Sequence, residues 1–325
     1  MVTGEWFTFR LPPMRYAPSM AVTDVSKGTQ AVPVSVPLPS ARRRSRLVAN
    51  LRGTYIIWFR DLLRWWRDRQ RILPSIVQPI LYLFVFGVGL GSAIGGGIGG
   101  ARGAAAAGIG VSYTTFMYPG VLAMSILFTS IFSAMSIVWD REFGFLKEIQ
   151  VAPISRTAVA VGKALGGSTV AMLQASLLLL VAPLVGVQLT PLLVVQILAL
   201  LFLLAFALSA VGVAIASRLR SMEGFQVVMN FVLMPILFLS GAFFPLRGLP
   251  AWLETLTRLD PAAYAVDALR RVVLTSAGAP EAVAGSLAIA GPTGEPLPML
   301  VEIAILALFS LPMLTLAVRW FGQAE

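Results

Sequence analysis

Six apolar runs of bilayer length constrain this chain more than any other feature. They fall at about residues 72–90, 116–138, 164–187, 192–216, 225–243 and 300–321. Roughly 20 apolar residues in a helix cross a hydrocarbon core. Backbone groups find no water in that layer, so runs of this length cross it as helices. The expected fold class is an all-α polytopic membrane protein with six transmembrane helices, the domain covering residues 72–325. Composition agrees, since 57% of the 325 residues are hydrophobic and only 12% are charged, against about 25% charged in a soluble domain. The third and fourth runs are separated by a short turn around Gln188–Pro191 and should form a hairpin.

The net charge of +10 is not a nucleic-acid signal, because of where the charge lies. Thirteen of the 25 Lys and Arg residues precede residue 72. With the N-terminus inside, 20 of the 25 fall on that side, and five (Arg102, Arg247, Arg258, Arg270 and Arg271) on the other. That asymmetry predicts an N-in, C-in topology. Residues 1–50 form an aperiodic, Pro-rich basic tail, read as disordered and cytoplasmic, with Ala41–Arg46 near lipid headgroups. The opening MVTGEWFTFRLPP lacks the apolar segment of a cleavable signal.

Residues 51–71 are different. Trp58, Phe59, Leu62, Leu63 and Trp66 share one helical face, while Arg60, Asp61, Arg64, Arg67, Asp68 and Arg71 fill the other. The pattern predicts an amphipathic helix lying in the membrane interface, with tryptophans at headgroup depth. Two outer segments also stand out. Gly91–Gly110 carries nine glycines and reads as a flexible connector. Residues 244–276 read as two short helices at the outer surface, or partly re-entrant. There Pro250 suits a first helical turn, and Asp260-Pro261 an N-cap followed by proline at the first helical position.

Chemistry is scarce. The absence of Cys and His removes thiolate nucleophiles, disulfides, cysteine–histidine zinc sites and imidazole bases. Glu302 is the one acid expected inside a span, near its outer end, where local pairing is the simpler reading. Gln78, Gln174, Gln226 and Asn230 either bond between helices or line a passage. Gly162-Lys163 is not a phosphate loop, because Thr157 stands where the leading glycine belongs and Ala164 replaces the Ser or Thr. No metal or cofactor site is expected.

Residues 139–156, WDREFGFLKEIQVAPISR, put charges of both signs between two spans. As a helix, this segment sets Phe143, Leu146 and Ile149 on one face, with Lys147 and Glu148 elsewhere. Pro153 ends the run, and Ser155 is a suitable N-cap for the next helix. Hydrophobic anchors with a charged rim suit a docking surface.

Several segments together carry a resemblance to the permease subunits of type-2 ABC transporters, in particular daunorubicin-resistance-like exporters. Asp140–Leu165 resembles the family's cytoplasmic signature loop, and Gln78–Gly87 its first span. Leu239–Leu253 and Leu259–Leu274 are similar to the segment between its last two spans. The resemblance implies a permease that dimerises with an identical or homologous permease. It also implies docking of two cytoplasmic ABC ATPase subunits, which bind ATP and Mg. Residues 51–71 would be the elbow helix. Arg141, Glu142, Phe143, Gly144, Leu146, Lys147, Glu148 and Ile149 would form the ATPase-coupling helix. A passage between protomers, lined by spans one, two and five, would place Phe84, Phe128, Phe132, Asn230 and Met234 along it. Such a lining suits a hydrophobic drug, antibiotic or lipid, exported across the plasma membrane of a bacterium among its membrane lipids.

Two alternatives remain at this point. A membrane-embedded lipid-metabolising enzyme would need a catalytic cluster among Glu254, Asp260, Asp267 and Glu302. An ion-coupled secondary transporter would need ionisable relays and would work without an ATPase.

Overall fold

The computed structural model describes residues 46–95, 112–143, 154–246, 248–291 and 295–323. The expected tail before residue 46 and most of the glycine-rich connector lie outside these residues. So do Gly144, Leu146, Lys147, Glu148 and Ile149 of the expected coupling helix. The described chain is helical, and its one β-bridge pairs Ala290 with Pro296.

Helix α1 (Arg46–Arg67) leads into α2 (Arg69–Gly95) through the single residue Asp68. The Asp68 N–H donates to the carbonyls of Arg64 and Trp65, and its own carbonyl accepts from Ile72 N–H. Helix α2 runs to Gly95 and so absorbs the first glycines of the expected connector. It contains Pro74 and Pro79. A proline has no N–H for the carbonyl four residues earlier, so Pro79 releases the carbonyl of Ser75.

Helices α3 (Tyr113–Ser133) and α4 (Met135–Glu142) meet at the turn residue Ala134. Ser112 caps α3 by accepting from Thr115 N–H. The helical path thus continues past residue 138, the expected end of the second span, and Trp139–Glu142 is its last turn. Ser155 caps α5 (Arg156–Leu179), accepting from Ala158 N–H at 3.2 Å. Helix α5 begins well before the apolar run at 164. Its extra turns carry Arg156 and Lys163, which find partners described below. A 3-10 turn, Ala182–Val185, ends at Gly186 in the left-handed region, where glycine carries no Cβ penalty.

Thr190 caps α6 (Pro191–Arg218) and Ser221 caps α7 (Met222–Leu239). Helix α8 (Ala251–Leu259) follows Pro250. Asp260 then caps α9 (Pro261–Ser276), accepting from Ala262 N–H at 2.9 Å. After the short α10 (Glu281–Ser286), α11 (Met299–Gln323) closes the chain.

Among the described residues, five segments are long and apolar enough to cross a membrane: Ile72–Gly89, Tyr113–Glu142, Pro191–Arg218, Met222–Leu239 and Met299–Gln323. The remaining expected span, 164–187, lies in α5 only as far as Leu179 and ends in the 3-10 turn; α5 is rich in Gly, Ala, Ser and Thr and is mostly buried. The core centres on α6, whose Leu200, Leu201, Leu204 and Leu208 are sealed by α3, α5, α9 and α11. Helix α9 packs into this core, and all residues from Ala262 to Arg270 are buried. Gly120 of α3 lies so close to the chain at Ala242 that a Cβ there would strike the Ala242 carbonyl.

Candidate functional site: a charge cluster joining α1, α4 and α5

Helix α1 packs along α5 because both present small residues at the contact. A Cβ on Gly162 would meet the Thr54 carbonyl and Ile57, and one on Gly166 would meet Asp61. Small residues four apart allow such close helix approach within a membrane bundle. Thr54 Oγ1 donates to the Ala158 carbonyl, and Trp58 Nε1 donates to Thr169 Oγ1 at 2.9 Å. Asn50 Oδ1 accepts from Ser155 N–H at the start of α5.

The inward face of α1 is thus Gly53, Ile57, Asp61 and Trp65, spaced four apart. Of the five residues expected on its membrane face, Phe59, Leu63 and Trp66 are exposed, joined by Tyr55 and Ile56. Trp58 and Leu62 are half-buried. Asp61, which the sequence pattern assigns to the polar face, faces α5.

At this contact lies a compact charge cluster. Asp140, 2% exposed at the end of α4, sits 2.6 Å from Arg60 Nη2, 3.5 Å from Arg64 Nη2 and 3.2 Å from Lys163 Nζ. Lys163, 3% exposed, also lies 3.0 Å from Asp61 Oδ1 and donates to Ser136 Oγ at 2.8 Å. A lysine this buried requires partners on this scale. Sequence reasoning named Lys163 only as a cytoplasmic charge and a failed phosphate loop, and did not single out Asp140 or Asp61 as partners. The available signal was an acid ending an apolar run and a lysine opening another.

Among the expected coupling residues, Arg141 donates to the Leu219 and Ser217 carbonyls at 2.7 and 2.9 Å. It thereby satisfies carbonyls left open at the C-terminus of α6. Glu142 and Phe143 are exposed where the described chain stops at 143. Residues 144–153 are therefore flanked on one side by α4 and on the other by α5, and the cluster joins both to α1.

The expected passage residues separate into two groups. Phe128 and Phe132 are stacked, with centroids 6.4 Å apart, beside a cavity of about 290 Å³ that Ser75, Gln78, Thr129 and Gln174 also line. Gln174 bridges three helices there. Its Nε2 donates to the Ser75 carbonyl released by Pro79, at 2.7 Å, and its Oε1 accepts from Thr129 Oγ1. Phe84, Asn230 and Met234 lie on exposed faces of α2 and α7. On α7 the exposed stripe also holds Val227, Phe231 and Phe238.

The four acids that an enzymatic reading would gather do not form one cluster: Glu254 and Asp260 stand apart, while Asp267 and Glu302 meet at Arg271, 3.7 Å from Asp267 Oδ2. Glu254 pairs with Arg258 one turn away on α8, Asp260 caps α9, Asp267 accepts from Ile289 N–H, and Glu302 pairs with Arg271. Burial pushes the Asp260 carboxyl up to about 7. Arg270, fully buried, lies over the Phe116 ring at 4.4 Å and donates to the Gly241 carbonyl; burial lowers its pKa to about 10. Among the described residues no group of acids is placed to hold a metal ion.

Comparisons with known proteins fit this arrangement. The chain is 29% identical over 202 residues to the putative transport permease ycf38 of Cyanophora paradoxa, covering 61% of this chain and 66% of that protein. It is 29% identical over 238 residues to nodulation protein J of Rhizobium meliloti, covering 71% and 84%. The inner membrane transport permease YadH of Escherichia coli is 27% identical over 216 residues, covering 66% and 80%. Residues 52–274, from α1 to the end of α9, match the family described as ABC-2 type transporter. That match takes in more than half of the residues, and the chain belongs to the ABC-2 type transporter family.

Proposed function

We propose that the chain is the membrane-spanning permease subunit of an ATP-driven ABC exporter. It moves a hydrophobic or amphiphilic compound (a drug, an antibiotic or a lipid) out of the cytoplasm or inner leaflet. In this reading α5 is counted with the five apolar segments to make six spans, and both termini lie inside. The chain pairs with a second permease, identical or homologous, and docks two ABC ATPase subunits that bind ATP and Mg. The membrane is the plasma membrane of a bacterium, in line with the inner membrane named for the Escherichia coli relative.

The observation that carries this reading is the buried cluster of Asp140, Lys163 and Asp61. It ties α1 to the two helices that enter and leave residues 144–153, where the ATPase is proposed to press. A push there has a stiff route into α1 and, through Asp68, into α2. The substrate passes between protomers along Phe84, Phe128, Phe132, Asn230 and Met234.

The test begins with mild-detergent purification of the tagged chain from its host. An ATPase bearing a nucleotide-binding loop should accompany it, and the reconstituted complex should hydrolyse ATP faster with amphiphiles present. Reversing the charges of Glu142, Lys147 and Glu148 together should abolish that stimulation and leave membrane insertion unchanged. Transport by the chain alone, driven by an ion gradient, would overturn the reading.

A further inference from the structure

The coupling reading leaves one feature of α1 unused. Along its polar side runs an open groove of about 730 Å³, lined by Arg60, Leu63, Arg64, Arg67, Asp68 and Gln70. Three arginines face one aspartate in it. The side chains of Arg60 and Arg64 keep 37% and 41% of their surface exposed even while they reach Asp140. Arg60 Nε is buried without a hydrogen-bond partner, and the Arg64 contact with Asp140 is long, at 3.5 Å. Helix α2 begins at the end of this groove, directly after Asp68. The groove therefore offers three guanidinium groups with donors beyond those committed to Asp140.

The adjoining surface decides the kind of anion. Phe59, Leu63 and Trp66 are exposed beside the arginines, Trp66 by 69%. A free anion has no use for them, whereas a lipid presents a phosphate and an acyl chain side by side. We infer that this groove is a binding site for the headgroup phosphate of an anionic phospholipid of the inner leaflet, its chains lying against Phe59, Leu63 and Trp66. The inference rests on the proposed function in placing α1 at the cytoplasmic membrane surface.

The test uses the full chain in nanodiscs with spin-labelled phosphatidylglycerol or phosphatidylcholine as probe. The expected result is about fivefold preferential association of phosphatidylglycerol, on the scale of one arginine at a membrane surface. The preference should fall to near parity in the double variant Arg64→Gln, Arg67→Gln and survive in Arg64→Lys, Arg67→Lys. Arg67→Glu, which touches no member of the Asp140 cluster, should also lose it, so a folding defect from a broken ion pair cannot imitate the result. Equal association of the two lipids with the unaltered chain, or full preference in Arg67→Glu, overturns the site. Displacement of the lipid by inorganic phosphate also overturns it, in favour of a free-anion site. Placement is read separately, by brominated phosphatidylcholine quenching of the fluorescence that Trp66→Phe removes. Quenching without lipid preference sinks the site alone, and absence of quenching sinks the surface placement and the site with it.

Discussion

Lys163 Nζ lies 3.2 Å from Asp140 Oδ2, with both side chains almost sealed from solvent. Removing one member of a buried pair leaves an uncompensated charge, at a cost of about 3–5 kcal/mol. Lys163→Met should therefore lower thermal stability in detergent sharply. Adding Asp140→Asn to it should recover a large part of the loss, because the remaining Asp61, Arg60 and Arg64 have more access to water. A double-mutant cycle read by thermal unfolding checks this, and strict additivity would show that the two residues do not interact.

Gln174 replaces the backbone donor that Pro79 lacks. Gln174→Leu strands the Ser75 carbonyl and the Thr129 hydroxyl, at about 1–3 kcal/mol. In a Pro79→Ala background residue 79 regains its N–H for the Ser75 carbonyl, so the same substitution should cost less. An equal cost in both backgrounds would mean that the side-chain bond is not a substitute for the helical one.

Gly120 faces the Ala242 carbonyl at a separation that leaves no room for a methyl group. Backbone cannot swing aside as a side-chain tip can, so Gly120→Ala should cost about 1–3 kcal/mol or more. Limited proteolysis around residues 240–246 should accelerate in the variant, and unchanged cleavage would contradict the close packing.

Asp260 carries a carboxyl raised from 3.8 to about 7 by burial, and its Oδ2 has no hydrogen-bond partner. The folded state therefore holds the proton more tightly than the unfolded state. Stability from this group is fully present below about 4 and is lost as pH rises through about 7. Asp260→Asn keeps an oxygen to cap α9 and removes the titration. Its melting temperature should vary less between about pH 4 and 7, the range set by this shift, than that of the unaltered chain.

Five of the six apolar runs, found again as long apolar helices, and the caps were legible because their causes are local. Apolar runs, Ser155 before α5 and Asp260-Pro261 before α9 each act within a turn or two of chain. The cluster was not legible, for a physical reason. An amphipathic helix at a membrane has a polar face that serves water or a buried partner equally well, and periodicity does not separate the two. Asp61 sits on that face and turns to Lys163, which belongs to another helix far along the sequence. The partners of the charges in the first turns of α5 were missed for the same reason. Arg156 and Lys163 look like loop charges until their partners are in place: the Gly322 carbonyl for Arg156, and Asp61 and Asp140 for Lys163. The passage residues were only partly brought together: Phe128 and Phe132 share α3, while Phe84, Asn230 and Met234 lie on exposed faces of α2 and α7.

Asp68 is the single residue between α1 and α2. Helical hydrogen bonds run across it, from its N–H to the Arg64 carbonyl and from Ile72 N–H to its own carbonyl. With α1 held at Asp61 and Arg60, a displacement there would be inherited by the first apolar helix and not absorbed at the junction.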